Sequence, residues 1–314
     1  MTRATRSPLR ASSETGRDYG IRITDDDIRR LKLMARWYTM TPRQLARAEL
    51  VYGRDWTDAY PNGTPEAAER FESMTIGIRR RLSRLSQINT SGTSAGPLTN
   101  GTLYDGKQAT WFATPYGVTA ANIVWNVRGS VNPMYLNHAL MAGDIGQHLE
   151  LSLKGSYQIL SERELSTGYD AAGYELRADF NSYYQPTNGE PIAKKPDIAI
   201  LAQDRRSFIA VEVERRESRS ITSYREKLNA YSRNPNVIAV WYMCASERIA
   251  QRVSTAERRE LGGNAAAGTG QSRVSINVIP GHDDWFGIPN LRENRTLGLG
   301  LQALHRASVN GPRQ

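Results

Sequence analysis

A single cysteine in 314 residues, Cys244, excludes an internal disulfide and any zinc site built on thiolates. It closes the apolar run VIAVWYMC, where a small buried hydrophobe is a commoner role than a nucleophile. Long apolar runs are missing as well. Nothing approaches the ~18 residues needed to cross a bilayer, and no apolar segment follows the basic N-terminus as it would in a secretory leader. A soluble, cytoplasmic protein with no membrane partner is the expectation. Lysine is scarce, 6 residues against 35 arginines, yet the net charge is +9. Positive charge carried on arginine suits bidentate contacts with phosphates and base edges, so the expected partner is a polyanion, nucleic acid before membrane. The length suits two domains or one large one.

Residues 1–20 are polar, basic and aperiodic, the pattern of a flexible arm. Thr24, followed by three aspartates, predicts a helix start, with Ile28, Leu31, Leu33, Met34 and Trp37 on its buried side. Thr41-Pro42 restarts a second helix that turns Leu45, Ala46 and Leu50 inward. After the turn-rich stretch 60–65, a third helix is expected from about Glu66 to Gln87. Its apolar stripe is Ile78, Leu82 and Leu85; Ser73, Arg80 and Arg84 fall opposite, flanked by Arg79 and Arg81. Two strands meeting at Asp105-Gly106 follow, the strongest short hairpin signal in the chain. Three helices and a β-ribbon spell a winged helix over 21–125. Arg79, Arg80 and Arg84, with Lys107 on the ribbon, are its candidate contacts to double-stranded DNA. The alternative is a merely solvated arginine face, or a winged helix used for protein pairing.

The pattern loosens over 119–132, the expected domain boundary. A second domain is expected over 130–285 and a C-terminal tail over 286–314. A helix from Pro133 to about Leu149 carries Leu136, Leu140, Met141, Ile145 and Leu149 on one side. His138 and His148 also lie on it, off a common face, as structural histidines. Residues 157–164 (YQILSERE) read as a strand ending on acids, and 166–195 as turn-rich.

The stretch KPDIAILAQDRRSFIAVEVE, 195–214, reads as two strands, Ile198–Leu201 and Phe208–Val213, around a polar turn at Gln203–Arg206. A turn centred on Asp204 and Arg205 places Asp197 opposite Glu212, with Glu214 two residues on along the same face. Opposed side chains lie about 4.5 to 5.5 Å apart at Cβ, close enough for two carboxylates to share one hard divalent cation. Asp197 and Glu212 are therefore candidate ligands for Mg²⁺ or Mn²⁺, and three acids are expected at one spot. The alternative is that Glu212 and Glu214 pair with Arg215, Arg216 or Arg219 and that the turn lies elsewhere; a slip of one residue breaks the cluster. Beyond the hairpin, 220–233 is a helix with Tyr224, Lys227, Leu228 and Tyr231 on one side. Val237–Cys244 is a buried strand, Ser246 caps a helix to about Leu261, 262–270 is a loop, and 274–279 is a further strand.

The order helix, strand, hairpin with Pro196-Asp197 and Glu212-Val213-Glu214, helix, strand, helix, strand resembles the restriction-endonuclease-like, PD-(D/E)xK nuclease fold. Glu214 stands where the last lysine is usual. Some members move that lysine to the following helix, where Lys227 sits, and Lys227-Leu-Asn-Ala-Tyr231 is similar to the Gln-x-x-x-Tyr helix of the RecB-like branch. Over about residues 24–280 the chain resembles the replication-relaxation family of actinobacterial plasmids and phages. The resemblance implies an α+β or α/β chain, an N-terminal winged helix-turn-helix followed by an αβββαβ core with a mixed sheet. It implies DNA binding in replication or mobilisation inside a bacterial cell, with a homodimer and replication or transfer proteins as open partners. Cleavage, if it occurs, would use Asp197, Glu212, Glu214 and Lys227 with the cation. The alternative is a non-catalytic replication or transfer factor on a degenerate nuclease fold.

Overall fold

The computed structural model describes residues 11–12, 18–19, 23–52, 65–87, 99–104, 108–125, 127, 132–153, 156–176, 178–184, 190–265, 273–279 and 295–310. The chain divides into two compact units, residues 1–140 and 141–314. Each is considered by itself. Most of the expected N-terminal arm lies outside the described residues; within it β1 (Ala11–Ser12) pairs antiparallel with β2 (Asp18–Tyr19).

In the first unit, α1 (Asp25–Arg36) starts at Thr24 because a capping box closes there. Thr24 Oγ1 accepts from Asp27 N at 3.2 Å, and the Asp27 carboxylate accepts from Thr24 N at 2.9 Å. Thr41 and Gln44 repeat the device at the start of α2 (Pro42–Tyr52), with reciprocal bonds of 3.1 and 2.9 Å. Between the two helices Tyr38 takes a left-handed turn (φ 67°), and Met40 then exchanges backbone hydrogen bonds of 2.9 and 2.8 Å with Trp111. Trp111 lies on β4 (Gln108–Ala113), which pairs antiparallel with β3 (Thr99–Tyr104). The helix α3 (Pro65–Leu85) buries Ile78, Leu82 and Leu85 as its spacing requires, with Phe71 added. A short helix, α4 (Pro115–Ala120), capped by Thr114, falls at the edge of the stretch where the sequence pattern loosens. Six residues are too few to carry a period.

One pair in this unit departs from expectation. By sequence Asp27 belongs to the first turn of α1, and Arg81 to a flank of the basic face. Instead Asp27 is fully buried, and its two oxygens accept from Arg81 Nε at 3.0 Å and Nη2 at 2.6 Å. Burial pushes the Asp27 carboxyl up, but Arg81 and Thr24 outweigh it and hold the group below its ordinary value.

The helix α5 (Pro133–Ser152) crosses the division between the units. Residues 139–147 are buried without a break, so the helix has no polar face there and Asp144 and Gln147 lie inside with the leucines. In the second unit β5 (Gln158–Ser161) stops where Ser161 and Glu164 form a capping box that opens α6 (Glu162–Thr167). The acids of 162–164 therefore begin a helix rather than end a strand. A small ribbon, β6 (Ser182–Tyr184) with β7 (Ile192–Lys194), occupies part of the stretch read as turns.

The core is a mixed five-stranded sheet ordered β11-β10-β9-β8-β5, formed by β8 (Ile198–Leu201), β9 (Phe208–Glu214), β10 (Val237–Cys244) and β11 (Val274–Val278) beside β5. β9, β10 and β11 run parallel; β8 is antiparallel to both β9 and β5. Parallel neighbours need crossover connections, supplied by α7 (Ile221–Arg233) and α8 (Glu247–Ala265). α8 extends into residues expected to be loop. Tyr224, Leu228 and Tyr231 of α7 and Ile249, Val253 and Ala256 of α8 pack with Phe208, Ala210, Val240 and Tyr242 on one face of the sheet.

The other face meets a helix in the stretch expected to be a C-terminal tail: α9 (Arg295–Asn310), with Leu297 and Leu304 buried. Trp285 and Phe286, the large aromatics where that stretch begins, lie outside the described residues. A Cβ at Gly300 would lie 2.8 Å from Trp241 Nε1 and 3.5 Å from Ala239 Cβ, so glycine is what lets α9 approach β10. Gly300→Val is expected to destabilise the protein by roughly 2 kcal/mol, because a buried indole cannot yield without moving the strand. Thermal melting checks it, and an unchanged midpoint would remove α9 from the packing of this face.

Candidate functional site

The hairpin turn sits where expected. Asp204 accepts from Arg206 N and Ser207 N at 2.9 Å each and from Ser207 Oγ at 2.8 Å, while Arg205 adopts a left-handed conformation (φ 56°). The ladder pairs Ile198 with Val211 and Leu201 with Phe208, the register that carries Asp197 to the position across from Glu212. Asp197 lies just before β8, half-buried, and its Oδ2 accepts from Val213 N at 2.7 Å. The carboxylate thereby continues the β8–β9 ladder with its side chain.

Glu212 is 2% exposed. Its Oε2 accepts from Lys227 Nζ and its Oε1 from Tyr231 OH. Lys227 and Tyr231 stand four apart on α7, hence on one face of it, and Ser220 fixes that helix by capping Ser223 N at 3.1 Å. Burial pushes the Glu212 carboxyl up to about 7; the Lys227 charge opposes the shift and the Asp197 charge adds to it. Burial, then Glu212, holds the Tyr231 hydroxyl well above its ordinary value, so it remains a donor.

Glu214 shares the strand face of Glu212 by alternation but is committed elsewhere. Its Oε2 accepts from Arg219 Nη1 at 2.5 Å and its Oε1 from Arg216 N at 3.1 Å. The alternative pairing raised for Glu214 is thus realised with Arg219, although the turn is in its expected place. Three acids do not gather: among the described residues no group of three or more His, Cys, Asp or Glu is arranged to hold a metal ion. The physical reason is the loop after β9, whose guanidinium neutralises the third carboxylate. Asp197 and Glu212 remain a pair. A hard cation that takes one or two carboxylates and completes its shell with water and substrate phosphate fits such a pair, provided Lys227 yields its place on Glu212. Cys244 is no nucleophile: burial, with Glu214 and Glu247, pushes its thiol up to about 12.

In the first unit Arg79, Arg80 and Arg84 are exposed on α3 and have no partner among the described residues, whereas Arg81 is consumed by Asp27. Lys107 and the Asp105-Gly106 turn lie outside the described residues. Sequence reasoning missed the Asp27–Arg81 pair and the bond from Val213 N to Asp197. The first joins residues distant in sequence and the second uses a backbone donor, so neither leaves a motif. No helix among the described residues is long and apolar enough to cross a membrane. No family model, no curated protein and no solved structure matches the chain.

Proposed function

We propose that the protein binds double-stranded DNA through residues 21–125, a winged helix, and that residues 141–314 hold a metal-dependent phosphodiesterase site of the PD-(D/E)xK kind, in a plasmid or phage replication or mobilisation protein. The observation that carries the second half is the meeting of Lys227 and Tyr231, from one helix, on Glu212, with Asp197 across the hairpin. Mg²⁺ or Mn²⁺, when bound by Asp197 and Glu212, supplies polarisation of the scissile phosphate and a more acidic water. Tyr231 holds Glu212 in one rotamer. Val213 N holds Asp197. Lys227 stands beside Glu212 as the cation that would face the phosphate or its attacking water once Glu212 is otherwise engaged. Glu214, expected to share that task, is instead a structural anchor for Arg219.

Support for the first half is the Met40–Trp111 bridge, which ties the link between α1 and α2 to the ribbon, and the unpartnered Arg79, Arg80 and Arg84 on α3. Replacing Arg80 and Arg84 together with Ala is expected to flatten the salt dependence of duplex binding by about one unit of log-log slope per lost phosphate contact. Fluorescence anisotropy across a salt series measures it; an unchanged slope moves DNA contact off this helix.

A second reading is favoured by one observation: Glu212 and Glu214 already have cationic partners in Lys227 and Arg219. Such a domain serves as a non-catalytic DNA-binding or assembly platform. Supercoiled DNA incubated with purified protein and Mn²⁺ or Mg²⁺ separates the two. Conversion to open circles is expected of the nuclease, and its absence at every cation concentration leaves the platform.

A further inference from the structure

The loop between β9 and α7, residues 215–220, leaves the carboxyl end of a parallel strand, the side of an open sheet where ligands collect. It is unusually well braced. Arg252 Nη1 donates to Arg219 O at 3.0 Å and also to Glu217 O. Glu217 in turn accepts from Ser246 Oγ and Arg248 Nη1, both at 3.2 Å. At the centre of this bracing lies Arg219. Its guanidinium carbon sits 5.8 Å from the centroid of the Tyr224 ring, its Nη1 is held by Glu214, and the side chain is still 34% exposed. A guanidinium carries five N–H donors, and only Nη1 has an acceptor among the described residues. The remaining donors form part of a planar fork at the surface, next to a strand end that carries Glu212 and Glu214.

We propose that Arg219 binds a phosphate of the DNA at this site through the donors that Glu214 leaves free. The inference rests on the phosphodiesterase reading of Asp197 and Glu212 and adds to it a phosphate-binding residue. Glu214 then has a definite part: it orients Arg219, as a buried carboxylate orients a cation that must not reorganise when its ligand arrives. Burial opposes the Arg219 charge, but Glu214, Glu212, Tyr224 and Asp197 outweigh it, so the guanidinium stays charged.

The rival is that Arg219 only neutralises Glu214. The double substitution Glu214→Gln with Arg219→Gln decides between them, since it removes both charges, keeps an amide pair able to hydrogen-bond, and leaves the net charge of the chain unchanged. Duplex binding is measured across a salt series in EDTA, so that cleavage plays no part. The expected result is a log-log slope lower by about one, the signature of one lost phosphate contact. A slope equal to that of the parent overturns the proposal. Arg219→Lys, which keeps the ion pair, covers the case in which the double variant fails to fold. It is expected to keep the slope and to lose at least about tenfold in nicking rate, since an ammonium cannot reproduce the fork; undiminished nicking overturns the proposal. If the parent binds DNA but never nicks it, the phosphodiesterase reading fails, and the slope of the double variant still decides whether Arg219 touches phosphate.

Discussion

Asp197→Asn is expected to abolish cation-dependent nicking, a loss on the order of 10²-fold or more, while leaving the metal-free protein as stable as the parent at pH 5 and more stable at pH 8. The amide keeps an oxygen that accepts from Val213 N, so the ladder contact of 2.7 Å survives. What goes is the charge that helps to push Glu212 up. Glu212 titrates near 7 in the folded chain against an ordinary 4.5, so the folded state holds its proton more tightly. The stabilisation is full below the lower value and is lost as pH rises through the higher one, roughly 3 kcal/mol over that window. Without Asp197 the folded value falls and less is lost. Mg²⁺ should raise the melting temperature of the parent above pH 7 and leave that of the variant alone, because only the parent offers two carboxylates. Melting curves at pH 5 and 8, with and without Mg²⁺, test all of this. A variant that is less stable at both pH values, beside a parent blind to Mg²⁺, would end the nuclease reading and leave the DNA-binding one.

Removing Lys227 should act in the opposite sense. Lys227→Met leaves Glu212, 2% exposed, without its cation; because the acid can escape by taking up a proton, which in the parent it does near 7, the cost at pH 8 is limited to about 1.5 kcal/mol. That cost belongs to the ionised acid only. At pH 8 the variant should melt a few degrees below the parent; at pH 5, where Glu212 is protonated and needs no counter-charge, most of the difference should vanish. Adding Glu212→Gln to the same chain should restore much of the loss at pH 8, since the neutral amide still accepts from Tyr231. A deficit of equal size at both pH values would show that Lys227 stabilises through its aliphatic stem rather than its charge.

The β8–β9 hairpin was legible because its signals are local: β-branched residues on both sides of Gln203–Arg206 and an Asx turn at Asp204, four residues that set the register and hence bring Asp197 to Glu212. The starts of α1 and α2 were legible for the same reason, each resting on a capping threonine. The failures share a different character. Arg81 lies on the same arginine run as Arg80, and nothing nearby distinguishes them; the distinction comes from a carboxylate 54 positions earlier. Arg219 was one of three candidate partners, and only the fold of the loop chose it. α9 was hidden because the glycines at 298 and 300 lower helix propensity, and only the second of them is required by the approach to Trp241.

The division of labour along α3 bears on how the chain can be altered. Arg79, Arg80 and Arg84 are exposed, with no side-chain partner among the described residues, so a change at any of them leaves the fold alone. Arg81 is answerable to Asp27, inside. On the DNA-binding reading proposed above, three of the four positions are adjustable and one is fixed in a run that looks uniform, so a library randomised across all four would lose members to misfolding through Arg81 alone.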